Sequence, residues 1–327
     1  MTSNLNISVF TRTCWNEFPR LRHQVALLLA RNGHYVTFFE KPENRNAVVR
    51  KISDRLTVVP MPEIIHHQLR PFRFISDAAN GFPKRLIHSW FKNSPRPDII
   101  INFNYYFYFL KKLFPDIPVC SVINDDFVAQ GKPWMKKSIA AQLRDTCTYS
   151  DSVLTVSNSL QKKLSEFNSR TFLFFPWAEK KYSPPEKSPV RNVVLYFGHI
   201  NHRLNFDLMN EIAAAGMPFR LIGPVQRTVD MRALKKFLLH KNVSLLPPVP
   251  LANVDFNDVC CSVMPYNLNV ESVNACSISN RSFNLLSFGI PLVAPLMPDG
   301  IKVSPDVISY CGSSKELIWG ASSGSTM

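Results

Sequence analysis

Residues Ser279 to Ala294 read SNRSFNLLSFGIPLVA, and this one stretch holds a helix start, an apolar helix, a stop and a strand. Ser279 or Asn280 can serve as the N-cap, Gly289 stands where a helix wants a left-handed residue after its last turn, and Pro291 bars continuation before Leu292-Val293-Ala294. The free backbone N–H groups at such a start, with Arg281 in the first turn, suit a phosphate. The same residues also suit a capped, buried helix with one solvated arginine. On this stretch alone both readings stand.

Working outward, the segments before it alternate strand and helix. Val193 to Phe197 is a strand, Gly198-His199-Ile200-Asn201-His202-Arg203 a loop, and Asn205 to Ala215 a helix. Phe219 to Ile222 ends in a Gly-Pro turn, Val243 to Leu246 and Cys261 to Tyr266 are further strands, and Val307 to Tyr310 is a last one. The N-terminal half has the same rhythm. Asn6 to Phe10 is a strand, His23 to Asn32 a helix and Tyr35 to Glu40 a second strand, the opening of a doubly wound parallel sheet. Its first loop lacks G-x-G-x-x-G and offers Trp15, Asn16, Arg20 and Arg22 instead. Leu56 to Met61, Ile99 to Phe103, Val119 to Ile123 and Ser152 to Ser157 continue the sheet. The prediction is an α/β protein of two tandem Rossmann-like domains, residues 1–180 and 190–327, joined by a Pro-rich linker at 181–189. The second domain is expected to be shortened, with a disordered tail from about residue 320. A cleft between two such halves is a preferred place for a small-molecule site.

Two features of the N-terminal half carry chemistry. Asp125 and Asp126 stand at the carboxyl end of a strand, where parallel sheets place their reactive groups; the plainer reading is a cap for the next helix. Between Ile64 and Pro97 the pattern is irregular, basic and aromatic. Lys84 to Lys92 there can form a short amphipathic helix, either lying on a membrane interface or packed on the protein surface.

Charge is lopsided. Residues 1–187 carry 27 Lys and Arg against 15 Asp and Glu, a net of +12, while 188–327 carry 11 against 9, a net of +2. A field on one half points to a polyanion or an anionic membrane surface. No nucleic-acid-binding motif is legible. No apolar run approaches the ~20 residues of a spanning helix, and MTSNLNISVF has no basic region before its apolar residues, so no secretory signal is expected. Seven cysteines without a C-x-x-C pair read as reduced thiols of a cytoplasmic protein. No metal site is expected: His66-His67 are adjacent and share no helix face.

Four places together resemble a family. Trp15, Arg22-His23-Gln24 and Gly33-His34-Tyr35-Val36 form the first; Asp125-Asp126 followed by Ser150 to Ser157 the second; Tyr196 to Ile200 with Arg203 and Asp207 the third; Met264-Pro265-Tyr266 with Asn284 to Val293 the fourth. Their order resembles bacterial GT-B-fold glycosyltransferases, especially the large retaining group called family four. The resemblance implies a nucleotide-diphosphate-sugar donor in the C-terminal half, bound by Gly198, His199, Arg203, Tyr266, Ser279, Asn280, Arg281 and Asn284. It implies a lipid-linked or oligosaccharide acceptor in the N-terminal half, at Trp15, Asn16, Arg20 and Arg22. Without a metal or other cofactor, cations and helix N-termini must stabilise the leaving diphosphate, and Asp126 or Asp125 can orient or deprotonate the acceptor hydroxyl. Two departures count: Asn284 and Cys276 stand where the group carries glutamates. The expectation is an enzyme of cell-envelope polysaccharide biosynthesis, cytoplasmic and peripheral to the inner face of the membrane. The alternative is a catalytically inactive relative acting as a scaffold in polysaccharide assembly.

Overall fold

A computed structural model of the chain describes residues 4–17, 20–44, 46–63, 65, 70, 72–178, 191–300, 307–313 and 315–316. The expected linker and the expected disordered tail lie outside these residues. Internal contacts divide the chain into two units, Met1–Phe175 and Pro176–Met327, each built on one sheet.

The first unit begins with β1 (Asn6–Phe10), α1 (Leu21–Arg31), β2 (Tyr35–Glu40), β3 (Arg50–Ser53) and β4 (Leu56–Pro60). It continues with α2 (Arg73–Trp90), β5 (Ile99–Asn102), α3 (Leu110–Leu113), β6 (Val119–Ile123), α4 (Phe127–Gln130), α5 (Pro133–Tyr149), β7 (Ser152–Thr155), α6 (Asn158–Ser165) and β8 (Thr171–Leu173). The sheet order is β3-β4-β2-β1-β5-β6-β7-β8. All neighbours run parallel except β3, which is antiparallel to β4. Parallel strands are covered on both faces and so read as apolar runs, and Phe10 and Phe39 stack at 4.5 Å between ring centres in the core. Edge strand β3 is largely exposed, so its residues show no apolar alternation to betray it.

The irregular stretch resolves differently from its sequence reading. An 18-residue helix, α2, takes in Gly81 and Pro83, because its buried face of Ser76, Ala79, Asn80, Pro83 and Ile87 outweighs two poor helix formers. Within 84–92, Ile87 is fully buried and Leu86, Trp90 and Phe91 pack against the core. The apolar residues of that stretch therefore pack against the unit's own core, as its surface-packed reading expects.

β5 exits through a polar turn. Asn102 accepts from the Asn104 N–H at 2.9 Å and donates to the Asn104 carbonyl and to Ser121, both buried. The asparagines that interrupt Ile99 to Leu110 thus supply the hydrogen bonds a buried strand exit needs.

The second unit runs β9 (Val193–Phe197), α7 (Phe206–Ala214), β10 (Phe219–Ile222), α8 (Met231–Phe237), β11 (Val243–Leu246), β12 (Val259–Val263), α9 (Asn280–Ser287), β13 (Leu292–Pro295) and β14 (Ile308–Cys311). Its all-parallel sheet has the order β11-β10-β9-β12-β13-β14. Helix α9 is bounded as its residues require. Ser279 accepts from the Ser282 N–H at 3.3 Å, Gly289 adopts φ +72°, and β13 begins at Leu292 after Pro291.

Candidate functional site

In the second unit the strand order reverses between β9 and β12, the position at which open parallel sheets hold ligands beyond their carboxyl ends. Three segments meet there. Tyr196 is the penultimate residue of β9, Tyr266 follows β12, and Arg281 rises from the first turn of α9. The Arg281 guanidinium donates through Nη1 to the Tyr196 hydroxyl at 3.1 Å and through Nη2 to the Tyr266 hydroxyl. It also lies over both rings, 5.0 and 5.6 Å from their centres. Tyr196 in turn donates to the His199 carbonyl at 2.7 Å. One cation thereby ties a strand end, a loop and a helix start.

Burial opposes the charge on Arg281, yet the two tyrosines and Cys276 outweigh it and hold the guanidinium above its ordinary value. Burial likewise pushes the Tyr266 phenol up to about 12. Gly198 has φ +142°, and a Cβ built on it would stand 1.9 Å from Arg281 Nη1. Gly223, at the end of β10, has φ +146°, and its Cβ would stand 2.1 Å from the Gly198 carbonyl oxygen. Two left-handed glycines are needed because two chain reversals and a guanidinium occupy the space of side chains.

The loop is zipped to its neighbour. Asn205 N–H donates to the Pro265 carbonyl and Asn267 N–H to the Arg203 carbonyl, each at 2.8 Å. Arg203 is half-buried, and its charge helps burial hold the His202 imidazole below its usual value. The Ser279 hydroxyl serves as the helix cap and shares a 2.8 Å bond with Ser282. Asn284 is half-buried one turn after Arg281, and the Asn280 side chain lies outside the described residues. Of the eight expected donor residues, the structure brings Gly198, Tyr266 and Arg281 into direct juxtaposition. Tyr196, quoted in the sequence but given no role, is the member that reasoning missed; its place two residues before the glycine, at the carboxyl end of an apolar strand, was the available signal.

In the first unit, Trp15 packs edge-on against His23 and Phe38, 5.3 and 5.0 Å between ring centres, and its backbone N–H donates to buried Glu40 at 2.6 Å. Glu40 also holds Arg50 at 2.6 Å, and Arg50 donates to Asn16 at 3.2 Å. Arg20 pairs with Glu17 near the surface. Arg22 lies under the loop, 5.7 Å from the Phe103 ring centre, with Nη1 3.4 Å from Thr11 Oγ1. Burial, aided by Arg20, lowers its guanidinium to about 10, while the charge of Asp125 opposes the shift. Arg22 and Asp125, 103 residues apart, are thus electrostatic neighbours. Asp126 caps α4 through Ala129 N–H at 2.9 Å and pairs with Lys163 at 3.3 Å; Asp125 accepts from Gln130 at 2.8 Å. Among the described residues no group of three or more His, Cys, Asp or Glu is placed to hold a metal, and no helix is long and apolar enough to cross a membrane.

No protein-family model and no curated protein matches the chain. Solved structures do. Sucrose-phosphate synthase from Thermosynechococcus elongatus aligns with a TM-score of 0.75 at 12% identity, over 98% of this chain and 89% of that one. WaaG, a glycosyltransferase involved in lipopolysaccharide biosynthesis, gives 0.63 at 12%, over 98% and 90%. The catalytic domain of starch synthase IV from Arabidopsis thaliana, bound to ADP and acarbose, gives 0.61 at 10%, over 99% and 96%. At such identities the likeness speaks for the fold: the chain has the two-Rossmann GT-B fold.

Two tests follow from the geometry. Gly223→Ala should destabilise the protein by about 3 kcal/mol or more in urea unfolding, from backbone strain plus collision with a backbone oxygen. Gly216→Ala, with φ +86° and open space around the new methyl, should cost only ~1 kcal/mol. The second test concerns His23, whose Nδ1 accepts from the Arg20 N–H at 2.9 Å while Nε2 lies 3.1 Å from the Cys14 carbonyl, an arrangement that suits a neutral ring. Burial lowers its proton affinity. The unfolded chain takes up that proton as pH falls through about 6.5 and the folded chain resists it, so this contribution is whole above that pH and lost below it. Unfolding free energy measured from about pH 7 to about pH 5.5 should contain a falling component of up to ~1.4 kcal/mol per pH unit that His23→Gln lacks.

Proposed function

We propose that this protein is a metal-independent, retaining glycosyltransferase of bacterial cell-surface glycan synthesis. Its donor is a nucleotide-diphosphate-sugar held by the second unit, and its acceptor is a lipid-linked or polysaccharide chain held by the first. The observation that carries this reading is the assembly at the β9/β12 reversal, where Gly198, the start of α9 and a phenol-bound arginine converge. Breaking the bond between the anomeric carbon and the β-phosphate oxygen leaves a nucleoside diphosphate whose growing charge needs stabilising. Arg281 supplies a cation behind the glycine loop, Arg203 one within it, and backbone N–H groups of the loop and of α9 complete the cradle. In the first unit, Asp125 is the carboxylate that orients the acceptor hydroxyl or takes its proton, while Asp126 keeps α4 in place beside it.

A second reading, a catalytically inactive relative that serves as a scaffold, is favoured by the amide at Asn284 and the thiol at Cys276 in place of carboxylates. Thermal shift against UDP-, GDP-, dTDP- and CMP-sugars, followed by turnover assays, separates the two. The enzyme reading expects stabilisation by at least one donor, turnover unaffected by EDTA, and loss of ~100-fold or more in kcat/KM in Arg281→Ala. Binding without turnover favours the scaffold, and stabilisation by none of the donors counts against the enzyme reading.

Contact with the cytoplasmic membrane face belongs to the same proposal, through exposed groups of α2 and α5 rather than through the inward-facing apolar residues of 84–92. Phe72 and Phe74 stack at 5.7 Å while 58% and 71% exposed, and Phe82 and Trp134 are exposed on α2 and α5. Lys84, Arg85, Lys132, Lys136 and Lys137 lie on or beside the same two helices, which Arg73–Asp145 and Ser76–Gln142 join. Exposed aromatics among cations suit an anionic interface. Cosedimentation with phosphatidylglycerol vesicles, absent with phosphatidylcholine, should fall several-fold in Phe74→Ser/Trp134→Ser and at high salt; equal binding to both lipids would contradict it.

A further inference from the structure

Four adjacent strands of the first unit, β4-β2-β1-β5, release their chains on one edge of the sheet and place a second polar cluster there. Arg12 follows β1, Lys41 follows β2, Glu63 follows β4 and Tyr106 follows β5. Arg70 joins them just before α2. These residues line a narrow recess open to solvent, in which the side chains as they stand leave room for about one water molecule.

Its charges do not balance. Arg12 Nη2 reaches Glu63 Oε2 at 3.0 Å, but Lys41 Nζ stands 3.8 Å from that oxygen and Arg70 Nη2 3.8 Å from Oε1. Glu63, with 8% of its side chain exposed, has an Oε1 that accepts no hydrogen bond, and Arg12 Nε is also buried without a partner. Three cations around one carboxylate leave a surplus of two positive charges. Arg12 and Arg70 further lie over the Tyr106 ring, 5.9 and 4.8 Å from its centre. Partly buried charge of one sign is costly unless a counter-charge meets it.

The walls are fixed before any ligand arrives. Arg70, 2% exposed, donates to Asn80 at 2.8 Å and to the Ile65 carbonyl at 3.0 Å. Asn80 is fully buried and donates to the Tyr106 carbonyl at 3.0 Å. Lys41 and Arg12, 40% and 23% exposed, stand toward solvent. A floor fixed by hydrogen bonds, with two cations nearer solvent at the mouth, suits an anion that enters by displacing Glu63 from them.

We infer that this recess is a binding site for a phosphate dianion, the phosphomonoester or diphosphate group of the acceptor, and that Glu63 is the internal carboxylate the ligand competes with. That the phosphate belongs to the acceptor rests on the glycosyltransferase reading; the anion site does not.

The experiment is isothermal titration of the full-length protein with inorganic phosphate. Wild type is expected to bind, Arg12→Gln and Lys41→Gln to weaken binding about tenfold or more, and Glu63→Gln to tighten it. Circular dichroism confirms that each variant is folded, and both weakening variants lie at the mouth, where a change is least disruptive. Absence of binding in wild type and in Glu63→Gln alike overturns the inference. So does binding that Arg12→Gln leaves intact and Arg281→Lys abolishes, since the anion would then be in the second unit. A second arm uses vesicles of phosphatidic acid in phosphatidylcholine. Cosedimentation lost in Arg12→Gln assigns the phosphate to a lipid headgroup; phosphate binding without vesicle binding assigns it to a soluble molecule. No donor sugar enters either arm, so failure of the donor reading leaves this result standing, and failure here leaves the donor assays untouched.

Discussion

Parallel pairing obliges every strand of a sheet to end on the same edge, and both units depend on that constraint. Their site groups come largely from just beyond strand ends: the side chains of Arg12, Lys41, Glu63, Tyr106 and Asp125 in the first, and the backbone of Gly198 and Gly223 with the Tyr266 phenol in the second. A strand order that reverses at the sheet centre parts the loops there and leaves a recess. The antiparallel exception, β3, is an edge strand whose Arg50 reaches back to Glu40 and Asn16. Even that departure steadies the loop after β1.

Much of this was legible in the residues. The stretch from Ser279 to Ala294 contains its own cap, its own left-handed stop and a strand, and local chemistry decided all three. The strand Tyr35–Glu40 likewise falls where its apolar run places it. Where tertiary packing governs, local reading faltered. Gly81 and Pro83 argue against a helix, and α2 forms through them because its far side is buried. The exposed strand β3 carries no periodic signal because backbone pairing alone forms it.

The site divides in the same way. That Arg281, Gly198 and Tyr266 belong together could be inferred from their places at a helix start and two strand exits. What spacing cannot tell is how a cation is employed. Arg281 read as a solvated first-turn arginine or a phosphate ligand, and in the fold it is bonded to two tyrosines. The cluster around Glu63 was hidden because its members are scattered from residue 12 to residue 106, and none is unusual in its own neighbourhood. Only sheet order makes them adjacent.

The choice of phenols as partners for Arg281 has a further consequence. A carboxylate would fix a guanidinium equally well and would also cancel its field. A phenol is neutral through the physiological range, and burial carries Tyr266 further from ionisation. The arginine is therefore immobilised with its whole charge intact, in a place where low dielectric carries the potential outward through the glycine loop. Its two hydrogen-bond partners stay neutral through that range, so over ordinary conditions ionic strength sets how far the attraction extends.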